Sequence, residues 1–284
     1  MRLGKLSVEV VPDCTFRLDG GAMFGVVPRV LWQKVKPPDE RSRIAMAANC
    51  LLVESAGELL LIEAGIGDKN DERFRDIFGM PEGGPRLPDR LAEMGYELGD
   101  VNHVLLSHLH FDHCGWSTRL VDGRLVPTFP KATYWINRFE LRYAREPSLI
   151  DRASYLGDNW EPLFEAGVVE LFDDEAEPVP GVVTALAPGH NANLSIVLLD
   201  GGEGEKGVFW TDLIPTTAHV AYPWIMGFDL YPLDTLESKR RWIPKAAAEG
   251  WTCFFGHETD LPCGRLVESR PGRFEARPLE RTAA

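Results

Sequence analysis

The sequence predicts an α/β fold, and three observations predict it. Near-continuous apolar runs, such as Leu59-Leu60-Leu61-Ile62 and Leu194 to Leu199, read as strands buried on both faces. Stretches with apolar residues at helical spacing alternate with them, as in Asp68 to Met80 with Phe74, Ile77 and Phe78. The 284 residues are 44% hydrophobic and carry no internal repeat or low-complexity linker, so one domain over 1–284 is the economical organisation.

Taken in order, Leu3 to Val11 reads as a strand that turns at Pro12-Asp13 and resumes over Phe16-Arg17-Leu18. The apolar segment Ala22 to Trp32 holds Gly25 and Pro28 and fits neither a helix nor a long strand; it reads as a loop packed on the body or as a flap over a pocket. Asn49 to Glu54 and Leu59 to Glu63 are strands joined at Ala56-Gly57. Asp68 to Met80 and Leu87 to Met94 are helices separated by Pro81, Gly83, Gly84 and Pro85, the second stopping at Gly95. Val101 to Leu106 is an apolar run whose last residues form a strand. Strands over Ala132 to Ile136, Val168 to Phe172, Val182 to Leu186, Leu194 to Leu199 and Val208 to Trp210 follow, with helices at Arg138 to Arg145 and around Leu163 to Glu165. Leu233 to Ala248 is a long helix in which Pro244 marks a kink or break. Thr252 to Phe255 is a last core strand, Arg265 to Glu268 closes the body, and the tail from 271 reads as peripheral.

Composition excludes several functions. With 43 acidic against 30 basic residues the net charge is −13, a field that repels phosphate backbones and argues against nucleic acid. The five cysteines are scattered, with no Cys-x-x-Cys pair, which argues against a structural zinc knuckle or a disulfide framework. Neither a signal peptide nor an apolar stretch of spanning length is found, so no membrane partner is expected and a cytoplasmic location is the default.

The chemistry concentrates in Ser107-His108-Leu109-His110-Phe111-Asp112-His113-Cys114, directly after the Val101 to Leu106 run. Three imidazoles and a carboxylate within six residues are hard to explain by packing and are the ligands that divalent metals prefer. His190 follows the strand Val182 to Leu186, Asp212 follows Val208-Phe209-Trp210-Thr211, and His257 follows the strand at Cys253. A lone histidine is usually a satisfied polar residue. Metal-competent residues at successive strand ends, where scaffolds present their chemistry, outweigh that reading. Cys114 adjoins His113 and reads as a buried free thiol, not a ligand.

On these residues the chain resembles the metallo-β-lactamase superfamily. The His-x-His-x-Asp-His signature stands as His108, His110, Asp112 and His113, followed in order by His190, Asp212 and His257, over roughly Leu3 to Glu268. The resemblance implies a four-layer αββα sandwich with two metals at one edge. His108, His110 and His190 would hold the first, Asp112, His113 and His257 the second, and Asp212 would bridge them. Zinc is the implied metal, with iron, manganese and cobalt as alternatives. Subfamily departures narrow the activity. Asp212 stands where true β-lactamases of the superfamily often carry cysteine, and His110 stands where the diiron flavoprotein relatives carry glutamate. Glu63-Ala64-Gly65 replaces the usual Asp-x-Gly, leaving a longer carboxylate that can orient a ligand histidine. The stretches Gly20 to Trp32 and Asp212 to Asp229 are similar to the branch of quorum-quenching lactonases and methyl-parathion-type hydrolases.

The resemblance implies a hydrolase in which two metals about 3.5 to 4 Å apart share a hydroxide that opens a lactone, such as an N-acyl homoserine lactone, or a related ester. A phosphotriesterase is the nearest alternative, and an iron-dependent sulfur dioxygenase is a more distant one. Asp212 fixes the metal spacing, and Asp112 can also hydrogen-bond the nucleophile. The familiar lactonases place a tyrosine shortly after the bridging aspartate, where this chain has Leu213-Ile214-Pro215; His219 and Tyr222 are the nearest substitutes as leaving-group acid. The apolar stretches Met23 to Trp32 and Val220 to Phe228 suit a pocket for an acyl or aromatic group, and also a homodimer interface.

Overall fold

The computed structural model describes residues 1–279, and two β-sheets packed face to face make up its centre. The first sheet begins with β1 (Arg2–Leu3), β2 (Leu6–Asp19), β3 (Arg43–Ser55), β4 (Glu58–Ile62) and β5 (His103–Leu105). A separate hairpin, β6 (Thr118–Val121) and β7 (Arg124–Pro127), intervenes before β8 (Thr133–Asn137) and β9 (Val169–Phe172) complete that sheet. Its first four strands pair antiparallel, whereas β4, β5, β8 and β9 run parallel. The second sheet is β10 (Val182–Leu186), β11 (Ser195–Asp200), β12 (Lys206–Phe209), β13 (Thr252–Phe254), β14 (Cys263–Arg270) and β15 (Arg273–Arg277), in that spatial order.

Side-chain alternation sorts the core into layers. Leu51 and Val53 of β3 meet Val197 and Leu199 of β11 and Phe209 of β12 in the interior between the sheets. Cys50 and Leu52 point the other way, against the helix Leu87–Glu93 through Leu87 and Leu91 and against Leu141 and Ala144 of the helix Arg138–Arg145. Ile196, Val208 and Cys253 on the outer face of the second sheet are covered by Trp242, Ile243 and Ala246 of the helix Pro232–Ala248. The order is therefore helix, sheet, sheet, helix, as the family resemblance implied. Among the described residues, no helix is long and apolar enough to cross a membrane.

Several expectations need correction. Pro12 does not end a strand: β2 runs on to Asp19 through a register shift between Pro12 and Thr15, an irregularity that accommodates a residue without an N–H. Asp68 to Met80 is helical only over Glu72–Ile77, where the Asp71 side chain accepts from the Phe74 N–H at the start. The segment Ala22 to Trp32 is not a plain loop: it takes in the end of one short helix, Gly20–Phe24, and the whole of another, Arg29–Trp32. Pro244 sits inside an unbroken helix. The tail from 271 forms β15, an edge strand that pairs with β14 and packs Phe274 on the outer core; its last residues, 280–284, lie outside those described.

A candidate dinuclear metal centre

The topology brings the ligand candidates to one edge. β10, β11 and β12 alternate in direction and β13 runs parallel to β12, so β10, β12 and β13 all point the same way. His190, Asp212 and His257 follow their C-terminal ends and arrive at a common edge. From the first sheet, β5 delivers His108 and His110 on a loop, and one helical turn, Phe111–Cys114, carries Asp112 and His113. Close backbone approach makes this possible at two glycines. A Cβ at Gly115 would lie 1.9 Å from the Ile66 carbonyl, where the chain after β4 crosses the ligand turn. A Cβ on Gly189 would lie 2.2 Å from Thr235 Oγ1, where the His190 loop meets the long helix. Thr211, just before Asp212, holds a φ of +48°, an uncommon conformation for a β-branched residue and costly by about 1–3 kcal/mol.

All the ligand candidates are buried or nearly so, and they form two groups. His108, His110, His190 and Asp212 make one, and Asp112, His113 and His257 make the other, the potential ligand atoms of each lying within 4.8 Å of one another. Asp212 divides between them. Its Oδ2 faces His190 Nε2 at 3.3 Å and His108 Nε2 at 3.9 Å, while its Oδ1 faces His257 Nε2 at 3.0 Å and His113 Nε2 at 3.4 Å. Asp112 completes the second group at 3.6 Å from His257 Nε2 and 3.8 Å from His113 Nε2.

These contacts do not satisfy one another as hydrogen bonds. His108 Nε2 and Asp212 Oδ1 are sealed from solvent without a partner. His110 Nδ1 and His190 Nε2 converge to 3.0 Å, and His113 Nε2 and His257 Nε2 to 3.2 Å. Orphaned acceptors at full depth are costly, and two imidazole nitrogens pointed at one another need a proton on one of them or a cation between them. Electrostatics agree. Burial opposes ionisation of Asp212, yet His113, His257 and His190 hold its carboxyl well below the usual range. Against burial, Asp212 in turn raises His113, His190 and His257. Burial drives His108 and His110 well down, so neutral lone pairs are at hand. The donor set fits a pair of divalent cations.

The far sides of the rings are braced, which fixes which nitrogen faces inward. His190 Nδ1 meets Asp229 Oδ1 at 3.1 Å, and Thr235 Oγ1 donates to the other Asp229 oxygen at 2.9 Å. His257 Nδ1 lies 2.9 Å from the Ala47 carbonyl, and His108 Nδ1 lies 2.9 Å from Ser107 Oγ. Glu63 Oε2 stands 3.5 Å from His113 Nδ1, while its Oε1 accepts from the Ser107 N–H. Sequence reasoning reached Glu63 but passed over Asp229, whose signal was a lone carboxylate closing the Asp212 to Asp229 stretch. It also passed over Tyr155, which stacks edge-on to His110 at 4.6 Å and donates to Glu140, a carboxyl pushed up to about 7 by burial. Cys114 is buried, its thiol donating to the His110 carbonyl.

A cavity of about 280 Å³ opens onto this centre, touching His110, Asp112, His190, Asp212 and His257. Its walls are mostly apolar, with Leu18, Met23, Phe78, Phe111, Met226 and Phe228 prominent. A wider groove of about 440 Å³, between Glu9 of β2 and Arg90, touches none of the ligands. The segment Gly20 to Lys36 forms the Met23 wall as a strap held by several contacts. Gly227 N–H donates to the Ala22 carbonyl at 2.7 Å, His219 Nε2 meets the Met23 carbonyl at 2.8 Å, and buried Lys36 pairs with buried Glu258 beside His257.

That fastening corrects the assignment of His219. Its Nδ1 is engaged by Thr216 Oγ1, its ring stacks on Phe24 at 4.9 Å, and burial pushes it down to about 3. A neutral ring with both nitrogens committed has no proton to hand to a leaving group. Tyr222 is not brought to the cavity either; it packs edge-on to Phe274 of β15.

Comparison with known proteins agrees with the architecture. A family model of the metallo-beta-lactamase superfamily matches residues 43–257. The N-acyl homoserine lactonase AttM of Rhizobium radiobacter is 25% identical over 176 residues, 61% of this chain and 64% of that protein, so the match spans less than two thirds of the relative's length. A probable metal-dependent hydrolase from Staphylococcus aureus superposes over the whole of both chains with a TM-score of 0.90 at 28% identity. AidC, a dizinc quorum-quenching lactonase solved with a product, superposes with a TM-score of 0.79 at 21% identity, over 100% of this chain and 97% of that one, a likeness of fold.

Proposed function

The chain belongs to the metallo-beta-lactamase superfamily, and from that premise we propose that it is a metal-dependent hydrolase of lactones or related esters, N-acyl homoserine lactones foremost. The observation that carries this reading is the split Asp212 carboxylate, one oxygen to each ligand group, at the floor of an apolar cavity. His108, His110 and His190 would hold one ion, Asp112, His113 and His257 the other, and Asp212 both. Zinc is the metal proposed, on the imidazole-rich, carboxylate-bridged donor set. Two such ions supply Lewis acidity and an activated water at neutral pH.

The protein's own residues do the remainder. Asp229, the Ala47 carbonyl, Ser107 and Glu63 hold the imidazoles in orientation, which fixes the spacing of the centre. Asp112, on the cavity side, is placed to accept a hydrogen bond from the attacking water. Phe111, Met23, Met226 and Phe228 shield the acyl part of the substrate from solvent and position the ester over Asp212. The reading takes 1–284 as a single domain, and takes the five unpaired cysteines as those of a cytoplasmic protein. AttM and AidC, lactonases by name, support the substrate class.

The test is a rate comparison on zinc-loaded protein among N-acyl homoserine lactones, aryl acetates and paraoxon. Lactones are expected to have the highest kcat/KM, and dominant paraoxon turnover would overturn the ranking in favour of a phosphotriesterase.

A further inference from the structure

One charged side chain on the cavity wall has no part in the metal centre. Asp151 lines the cavity next to Ile150 and Ser154, and no lysine or arginine is among the described residues that do so. No basic side chain of the described residues comes within 4.0 Å of its carboxylate. Its side-chain partner is the Tyr143 hydroxyl, 3.1 Å from one oxygen and 3.0 Å from the other. A single hydroxyl proton leaves most of the acceptor capacity of an ionised carboxylate unused.

The placement is built. The Tyr143 hydroxyl is itself fixed by the Ser148 N–H at 3.2 Å, and the Asp151 N–H donates back to the Ser148 carbonyl at 3.3 Å. Four residues on, Tyr155 anchors the same turn against His110 and donates to Glu140. Asp151 is thereby held on the wall of the cavity that His110 also lines, four residues before the tyrosine that packs on His110.

We propose that Asp151 is a specificity-determining residue, which accepts a hydrogen bond from an N–H next to the scissile carbonyl and turns away substrates carrying a negative charge there. The chemistry is that of a mostly apolar wall carrying an acceptor that lies apart from the ligand residues. An amide N–H gains a charge-assisted hydrogen bond. A negative group at that position, away from the metal centre, meets repulsion from the Asp151 carboxylate, with no lysine or arginine among the described residues on the wall to offset it. The inference rests on the lactone reading and narrows it to acylamino lactones over plain ones.

The experiment compares N-hexanoyl-homoserine lactone with γ-decanolactone, which lacks an N–H, on zinc-loaded wild type, Asp151→Ala and Tyr143→Phe. The ratio of kcat/KM for the first over the second is expected to fall about tenfold in Asp151→Ala, through KM, and by a smaller factor in Tyr143→Phe, where the carboxylate stays but is no longer aimed. A ratio within twofold of wild type in Asp151→Ala overturns the role of Asp151 and leaves the lactonase reading standing. A wild type that opens neither lactone overturns both.

Discussion

Asp13 and Asp212 are both sealed inside this protein, and their surroundings could hardly differ more. Asp13 is ringed by donors: the Ile66 and Leu87 N–H groups, the Trp116 indole and a two-point contact with Arg86, all at 2.7–3.0 Å. Asp212 is ringed by imidazoles that fail to align with it, and its Oδ1 has no hydrogen-bond partner. Burying a charge is expensive unless it is paired, so the two carboxylates mark two kinds of investment. Asp13 ties β2 to the chain after β4 and to the turn before the Leu87–Glu93 helix, closing the frame behind the ligand loop. Asp212 is left unsatisfied by the protein alone, which is what a group reserved for ions from solution requires. Satisfaction by donors, more than burial or charge, separates a structural carboxylate from a functional one here.

The contrast can be broken by substitution. Asp212→Asn is expected to lower hydrolysis by 10³-fold or more and to cut zinc binding from two ions per chain to one or none, measured by initial rates and metal analysis. The opposite pattern is expected of Asp13→Asn: a stability loss of about 3–5 kcal/mol in urea unfolding, from stranding Arg86 and orphaning donors, with activity per folded molecule retained.

A third buried charge gives the smallest effect and sharpens the rule. Lys239 is fully buried and donates to the carbonyls of Ala221, Tyr222 and Trp224, fixing the loop that leads to Met226 and Phe228. Burial pushes its ammonium down to about 7. Between there and the ordinary lysine value the unfolded chain binds more protons than the folded one, so this group makes stability rise with pH across that window, by at most about 1.4 kcal/mol per unit. Lys239→Met should flatten the rise, read as unfolding midpoints between pH 6.5 and 9.5.

The sequence made the dense part of the centre plain and the dispersed part readable only by repetition. His108 to His113 is local, since four ligands in one turn of chain need no knowledge of topology. His190, Asp212 and His257 became legible because each follows an apolar run, and those runs prove to be co-directional strands of one sheet. The same habit failed for His219 and Tyr222. Nearness in sequence to Asp212 was taken for nearness in space, whereas the chain after Pro215 turns toward the strap and the outer face. The helices in Gly20 to Trp32 were illegible because glycine and proline disfavour helix interiors. Gly20 is accepted there because the Trp32 ring occupies the space a Cβ would need, at 2.5 Å, a packing reason that no local pattern announces.

The strap that carries Met23 has a consequence for how such an enzyme can change. It is a short run of contiguous chain, contributes none of the metal ligand candidates, and is fastened by backbone carbonyls and by the ion pairs of Lys36. One part of the cavity wall, Met23, is thus carried by a passage of the chain that holds no ligand. A cassette exchange of Gly20 to Lys36 that preserves those fasteners would give the same reactive floor a different wall, and divergence by drift in this one segment could redirect a lineage to new substrates without passing through an inactive ancestor.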